Sequence, residues 1–522
     1  MKSQEILLPL FFSAVLLPSI ACAEFHFTQA ISGAYYHVDG DKSRSFYPGN
    51  EADYLYEGSL DFSNIPLKDF SLFGNLEYRS TDDKTVDMQS ASIERMYMGA
   101  KGQAKEILMG DFYQSFSDYS LGNALKGIKL SFGDEKSSRF ILLGGVDTAK
   151  WEDLWERRQE DSATRRYVWG ARQENDLFNN KLALNFNYAG ARDDKSYIIS
   201  SNSPIMVNVF SVDGKYNINQ YLSASSEIAQ SFTDEDTRDG AAHTKNDSAH
   251  KLGLDFNLKD YSLSSVYSRV GTHFNTTGGF SAQDLEALNF DGTWFLPLKI
   301  RLTHYLHMDR DNLSHIKTTT TKQLNPGGKF ALSLPWQLNW DFGADLRKRF
   351  SRDKAENQKT YTYSTNLARD FRILFASLGY SKGIISDRVA PAQERNTDNY
   401  ILSLDGNLNI KDLALSWNFS ESITHDEYKE VCEADFLQSS ALGLRLIFPS
   451  TLTFEGKVNF GSNDYYINSS DSNNADYYIS LSRDLRKDLA FRLSYQHKGY
   501  GYFEGDNNYA ENFIRTTLSY KF

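Results

Sequence analysis

The sequence predicts an all-β fold: a transmembrane antiparallel up-and-down β-barrel of about 26 strands, within a range of about 22–26. Three observations predict it. Segments of roughly ten residues alternate apolar and polar side chains, the period of a strand with two unlike faces. Their length matches the ~9–11 residues a tilted strand needs to cross a bilayer, whereas strands of a soluble sandwich average about five or six. The connections alternate short and long, as in barrels that sort turns and loops to opposite ends.

At the N-terminus, Lys2 precedes an apolar run over 6–20, followed by the small-x-small triplet Ala21-Cys22-Ala23 and then Glu24. This pattern predicts a signal peptide over 1–23, cleaved after Ala23, and a single barrel over 24–522. A lipoprotein signal on Cys22 is the rival reading, but Ser19 stands where a lipobox usually has Leu. After cleavage Cys432 is alone, which excludes an intramolecular disulfide and any CxxC framework. The first expected strand, 25–37, follows the cleavage site closely and leaves no room for an N-terminal plug domain.

The clearest strands follow in order. Leu182, Leu184, Phe186 and Tyr188 oppose Ala183, Asn185 and Asn187. Leu252, Leu254, Phe256 and Leu258 oppose Gly253, Asp255 and Asn257. Leu338, Trp340, Phe342, Ala344 and Leu346 oppose Asn339, Asp341, Gly343, Asp345 and Arg347. Leu413, Leu415, Trp417 and Phe419 oppose Ala414, Ser416, Asn418 and Ser420, and Leu489, Phe491, Leu493 and Tyr495 oppose Ala490, Arg492, Ser494 and Gln496. The apolar set is expected to face lipid and the polar, small or charged set the lumen. The stretches 207–216 and 317–334 alternate weakly and leave their strands ambiguous.

Short turns carry Lys-Asp between strands, as in Leu67-Lys68-Asp69-Phe70, Leu258-Lys259-Asp260-Tyr261 and Ile410-Lys411-Asp412-Leu413. Long polar loops are expected over 40–53, 149–164, 233–248, 351–358, 386–398 and 461–474. At ~4.8 Å between strands, about 26 tilted strands enclose a cylinder on the order of 45–50 Å across if round. Side chains alone do not fill that width. Infolded loops, a flattened section or a partner must limit it.

Composition narrows the function. The chain has 31 Tyr and 35 Phe but a mean hydropathy of −0.51, and no apolar run past the N-terminus approaches the ~20 residues of a membrane helix. A net charge of −12 argues against nucleic acid as a partner. No Ser/His/Asp or Cys/His set is recognisable, so no enzymatic activity and no cofactor are expected. His304 and His307 lie three apart, on opposite faces of a strand, and cannot share a metal. Acidic clusters such as Asp234-Glu235-Asp236 read first as solvated loop acids; bridging of lipopolysaccharide through divalent cations is the alternative.

The candidate lumen-facing residues are Asp341, Asp345, Arg347, Arg445, Glu455, Lys457, Arg492 and Arg515. Both signs occur without a long stripe of either, which suits hydrophilic solutes. In the loop 149–166, Trp151, Leu154, Trp155 and Arg158 recur at helical spacing. This predicts a short amphipathic helix, either resting on the rim or folded into the lumen, with Trp151, Trp155 and Arg158 as candidate constriction residues.

The chain closes on Ile514, Thr516, Leu518, Tyr520 and Phe522, alternating with Phe513, Arg515, Thr517, Ser519 and Lys521. This strand resembles the C-terminal assembly signal of bacterial outer-membrane barrels, with Leu518, Tyr520 and Phe522 as the signal residues. The resemblance implies the cell outer membrane as location, and outer-membrane lipid, lipopolysaccharide and the barrel-assembly machinery as partners. A second motif, Gly110-Asp111-Phe112-Tyr113 followed by Asn123-Ala124-Leu125-Lys126-Gly127-Ile128, resembles the GDFY…N-x-L-[RK]-G-[IV] pattern of a group of bacterial outer-membrane barrels. It is a weaker echo of the strand pair of fimbrial ushers. Physically, the glycines allow close strand packing or a bend. Asp111 and Lys126 are expected to pair, so that reversing both charges should rescue folding.

The expected function is a porin-like passage for hydrophilic solutes or export. The alternative is a sheath or scaffold around a periplasmic partner, such as a multihaem cytochrome or a lipoprotein, as the resemblance to the sheaths of porin–cytochrome conduits implies.

Overall fold

The computed structural model describes residues 24–45, 51–134, 137–148, 150–154, 165–197, 203–238, 244–278, 282–465, 471–502 and 508–522. The signal peptide expected over 1–23 lies outside the described residues.

The strands are β1 (Glu24–Gly40), β2 (Glu51–Leu67), β3 (Phe70–Thr81), β4 (Ala91–Lys101), β5 (Lys105–Ser115), β6 (Gly122–Asp134), β7 (Ser138–Asp147), β8 (Arg166–Leu177) and β9 (Leu182–Asp193). They continue as β10 (Met206–Asn217), β11 (Leu222–Asp234), β12 (Thr244–Asn257), β13 (Tyr261–Val270), β14 (Leu285–Leu296), β15 (Ile300–Asp311), β16 (Thr321–Leu334), β17 (Leu338–Ser351) and β18 (Asn357–Asp370). The last are β19 (Leu374–Asp387), β20 (Arg395–Ile410), β21 (Leu413–Tyr428), β22 (Glu433–Ile447), β23 (Leu452–Asp464), β24 (Ser472–Asp484), β25 (Leu489–Tyr502) and β26 (Tyr509–Lys521). Each pairs antiparallel with its sequence neighbours in one 26-stranded sheet, and β1 pairs with β26, which closes it. The closed, up-and-down architecture is the one the alternation predicts, and the two ambiguous stretches are β10 and β16.

The closure has a defined register. Thr28 faces Lys521, Ser32 faces Thr517 and Tyr36 faces Phe513. The Ser32 and Thr517 hydroxyls lie 2.9 Å apart, and the Tyr36 and Phe513 rings stack at 4.8 Å. At the very end, the Phe522 N–H donates to the Phe27 carbonyl at 2.8 Å and the Phe27 N–H to the Phe522 carbonyl at 3.0 Å.

Connections at the end where β1 starts are tight, such as 68–69, 258–260 and 411–412. Lys68 and Lys411 take φ of 53° there, the left-handed geometry that two-residue hairpin turns need. The opposite end carries 148–165, 194–205 and 271–284, but some connections expected to be long are shorter, 352–356 and 388–394. The flanking strands, 14 to 16 residues long, absorb residues that composition assigned to loops.

Removing Phe522 deletes both of its backbone hydrogen bonds to Phe27, each worth about 1 kcal/mol in net stability and more where water is scarce. A chain lacking Phe522 is expected to give several-fold less heat-modifiable, membrane-inserted protein than wild type on unboiled gels.

Candidate functional site: an inner wall half covered by infolded loops

Partners across neighbouring strands share a face, so the register carries each face around the barrel. Asp345 leads through Gly327, Tyr305, Asp291 and Ser264 to Asp255, and from there to Ser223 on the strand that holds Glu227. This is the concave face. The loop between β5 and β6 touches β11 by donating the Tyr119 N–H to Glu227 Oε1 at 3.1 Å, a contact that runs across the interior. The opposite face exposes Leu252, Leu254, Phe342, Leu367, Leu378, Leu442 and Leu518, an apolar belt for lipid.

All eight candidate charges occupy the concave face by register. They are dispersed over β17, β22, β23, β25 and β26 and form small pairs. Lys329 Nζ reaches Asp341 at 3.1 Å, and Glu455 takes Lys457 at 2.9 Å and Arg492 at 3.2 Å. Arg445 sits opposite Glu455 in the register, and Arg347 donates to Gln323 Oε1 at 3.0 Å. The Arg515 guanidinium lies 4.9 Å from the centre of the Phe513 ring. Between these charges the wall is small and polar: Ser377, Ser403, Ser420, Ala441, Asn459 and Asp476 form one continuous row.

The expectation of a uniformly polar inner face fails over β5–β13. There the inward residues include Leu108, Phe112, Leu125, Ile141, Leu143, Val168, Ala189, Ala191, Val207, Val209, Ala229, Ala249 and Val270, all buried. Two loops cover them. Residues 116–121 lay Phe116 and Leu121 on the first part, and Tyr119 on the second together with Phe274 of the loop 271–278. Leu121 and Phe274 are 0% exposed, and the Tyr119 and Phe274 rings meet edge-on at 5.9 Å. Polar anchors fix both loops. Arg172 donates to the Phe116 carbonyl, and Lys251 pairs with Asp118. The Thr277 hydroxyl donates to the Ser120 carbonyl at 2.6 Å, and the Asn275 N–H donates to Ser231 Oγ at 3.2 Å. The Asp247 carboxylate accepts the His273 N–H at 2.9 Å.

The weak alternation of β10 was the available signal. Val207 and Val209 point inward while Phe210 and Val212 point outward, so both faces read as apolar. A strand with two greasy faces in such a barrel needs something inside to cover it.

The candidate constriction residues behave differently. Trp155 and Arg158 lie outside the described residues. The expected helix is, among the described residues, a single 3₁₀ turn at Glu152–Leu154. Trp151 is buried, with its Nε1 donating to Asp111 Oδ2 at 2.6 Å and Lys126 Nζ lying 5.6 Å from its ring centre. Lys150 reaches back to Asp87 at 2.8 Å. Burial works to raise the Asp87 carboxyl, but hydrogen bonds from Lys150, Ser92 and the Gln89 N–H outweigh it and hold it below the ordinary range. Among the described residues, the loops that lie on the inner wall are 116–121 and 271–278.

The Asp111–Lys126 pair forms, at 2.9 Å, between directly opposed residues. Beside it, Gly110 and Gly127 are opposed, Gly110 has φ of 110°, and a Cβ on Gly127 would meet the Gly144 carbonyl at 2.1 Å. Asp111 also accepts the Met96 N–H at 2.7 Å. Two of its three partners are therefore donors that a lysine cannot serve.

No protein-family profile matches the chain, and no curated protein matches it in sequence. Among solved structures it is similar to the copper transporter OprC (9% identity, 95% of this chain and 80% of that chain covered, TM-score 0.43). It is likewise similar to a mutant of the ferric enterobactin receptor PfeA from Pseudomonas aeruginosa (10% identity, 96% and 80% covered, TM-score 0.45). A third is the P pilus usher PapC translocation pore (9% identity, 95% and 99% covered, TM-score 0.33). Superpositions this loose carry no argument about function.

Because Asp111 serves a lysine, an indole and a backbone amide at once, exchanging the charges as Asp111→Lys with Lys126→Asp is expected not to rescue assembly. Heat-modifiability of the double variant should stay as poor as that of either single variant; recovery to wild-type yield would show that the ion pair alone matters.

Proposed function

We propose that this barrel provides a water-filled passage for hydrophilic solutes, or for export, across the cell outer membrane. The observation that carries the reading is the inner face of β17–β26. It is lined by small polar residues and interspersed charges of both signs, and is left open beside a half-wall covered by two loops. Mixed signs without a stripe favour weak ion selectivity. The apolar outer belt and the β1–β26 closure support insertion in a membrane. The paired Gly110, Asp111, Lys126 and Gly127 support membership of the GDFY-type barrels as a finer part of the same proposal.

A specific observation favours the sheath as a second reading. Three successive turns on the short-turn rim present exposed apolar side chains: Leu298 (82% exposed), Trp336 (79%) and Ile373. Leu298 and Trp336 do so at φ of 64° and 62°, a left-handed geometry that costs a bulky residue about 1 kcal/mol or more. A periplasmic protein seated on this rim would bury them.

Single-channel recording in planar bilayers tests the passage. Steady conductance with weak selectivity is expected. Phe274→Ala, which removes about 3–5 kcal/mol of seating for the covering loop, should raise the mean current and its noise. A silent wild-type barrel that stays silent in Phe274→Ala and co-purifies with a periplasmic protein would replace the passage by the sheath.

A further inference from the structure

We infer that the barrel wall contains a lateral portal between β4 and β5, closed in this structure, through which the acyl chain of a membrane amphiphile passes between bilayer and lumen. The inference goes beyond the hydrophilic passage and does not depend on it.

The first observation is a break in the ladder. β4 and β5 pair only from Tyr97–Gly110 down to Lys101–Glu106. Above that, Ala91–Met96 of β4 and Asp111–Ser115 of β5 belong to strands that continue without pairing to each other. Gly110, at φ of 110°, stands at the fork. Side chains replace the missing carbonyls. The Met96 N–H donates to Asp111 Oδ2 at 2.7 Å and the Ile93 N–H to Glu152 Oε1 at 2.9 Å. A lipid-facing barrel must satisfy these groups, and here removable side chains do it, one of them from a loop. Such a closure opens without unzipping a ladder.

The second observation is on the outer face. Met96 stands at the fork, and Met98 of β4 and Met109 of β5, directly opposite each other, lie on the same face in the first paired rungs below it. Three of the chain's seven methionines therefore border one seam. Methionine is unbranched and adapts to a mobile apolar contact. The third observation is inside. Leu108, Phe112 and Leu125, at the edge of the apolar inner wall, are the inward neighbours of the seam. A polar solute gains nothing from this sequence of surfaces. By the same register the Asp111–Lys126 pair lies on the outer face at the fork, covered by Trp151, so a hydrocarbon chain finds methionine outside just below the fork and apolar side chains inside, on either side of a wall whose polar groups are pinned by Asp111 and Glu152. In the closed state the loop 116–121 covers the inner surface and Trp151 covers the Asp111–Lys126 pair.

The test uses the full chain in vesicles of phosphatidylethanolamine and phosphatidylglycerol doped with a phospholipid that carries a diazirine on one acyl chain, with labelled residues mapped by mass spectrometry. The variants are Glu152→Ala with Trp151→Ala, which frees the loop clamp, and Asp111→Asn as a milder change should the first not insert. Weakening a charge-assisted hydrogen bond by ~1.4 kcal/mol or more is expected to raise labelling of Leu108, Phe112 and Leu125 about tenfold over wild type. Inward residues on β18 and β19 should stay unlabelled and sugar permeation unchanged. Labelling confined to Met98 and Met109 in every protein overturns the portal, as does labelling that rises equally on all inward faces.

Discussion

A barrel in lipid tolerates no unpaired strand edge, because no water is present to satisfy its N–H and C=O groups. The rest of this molecule follows from that constraint. It obliges β26 to find β1, and the terminal Phe522 and Phe27 exchange backbone hydrogen bonds to complete the seam. It also explains why the long unpaired stretch between β4 and β5 is occupied by carboxylates aimed at the exposed amides. Closing 26 strands then creates the second problem, an interior too wide for side chains to fill.

The chain solves the second problem asymmetrically. From β17 to β26 the inner wall keeps small polar residues and scattered ion pairs, surfaces at ease with water. From β5 to β13 it is apolar, and two loops lie on it as a separate internal core around Phe116, Leu121, Tyr119 and Phe274. Burial of each such side chain stabilises by about 1.5–3 kcal/mol, so the loops are fixed parts of the lumen. A polar wall on one side and packed protein on the other is the geometry on which the functional reading rests.

Much of this was legible in sequence. Strand number, closure, the apolar outer set and the shared concave face of the eight charges follow from a period of two that a closed sheet turns into inside and outside. The pairing of Asp111 with Lys126 was legible because the motif set the two at matching distances from one turn. The infolded loops were not. Phe116 and Phe274 sit in short polar segments without periodicity, and their partners are distant strands. Only the doubly apolar character of Val207–Phe210–Val212 hinted at them. Trp151 stood out in the sequence by its helical spacing, and the partner it has, Asp111 on a distant strand, is one that spacing along the chain does not reveal.

The most direct test of the account is the seam itself. In a chain carrying Cys432→Ser, cysteines at Ser32 and Thr517 should cross-link in the membrane-inserted protein, because the two residues are register partners whose hydroxyls lie 2.9 Å apart. Near-complete oxidation is expected on a non-reducing gel, and none when the second cysteine replaces Leu518, whose side chain points to the other face. Free thiols in the 32–517 pair, or equal cross-linking of 32 with 518, would contradict the closure on which everything else depends.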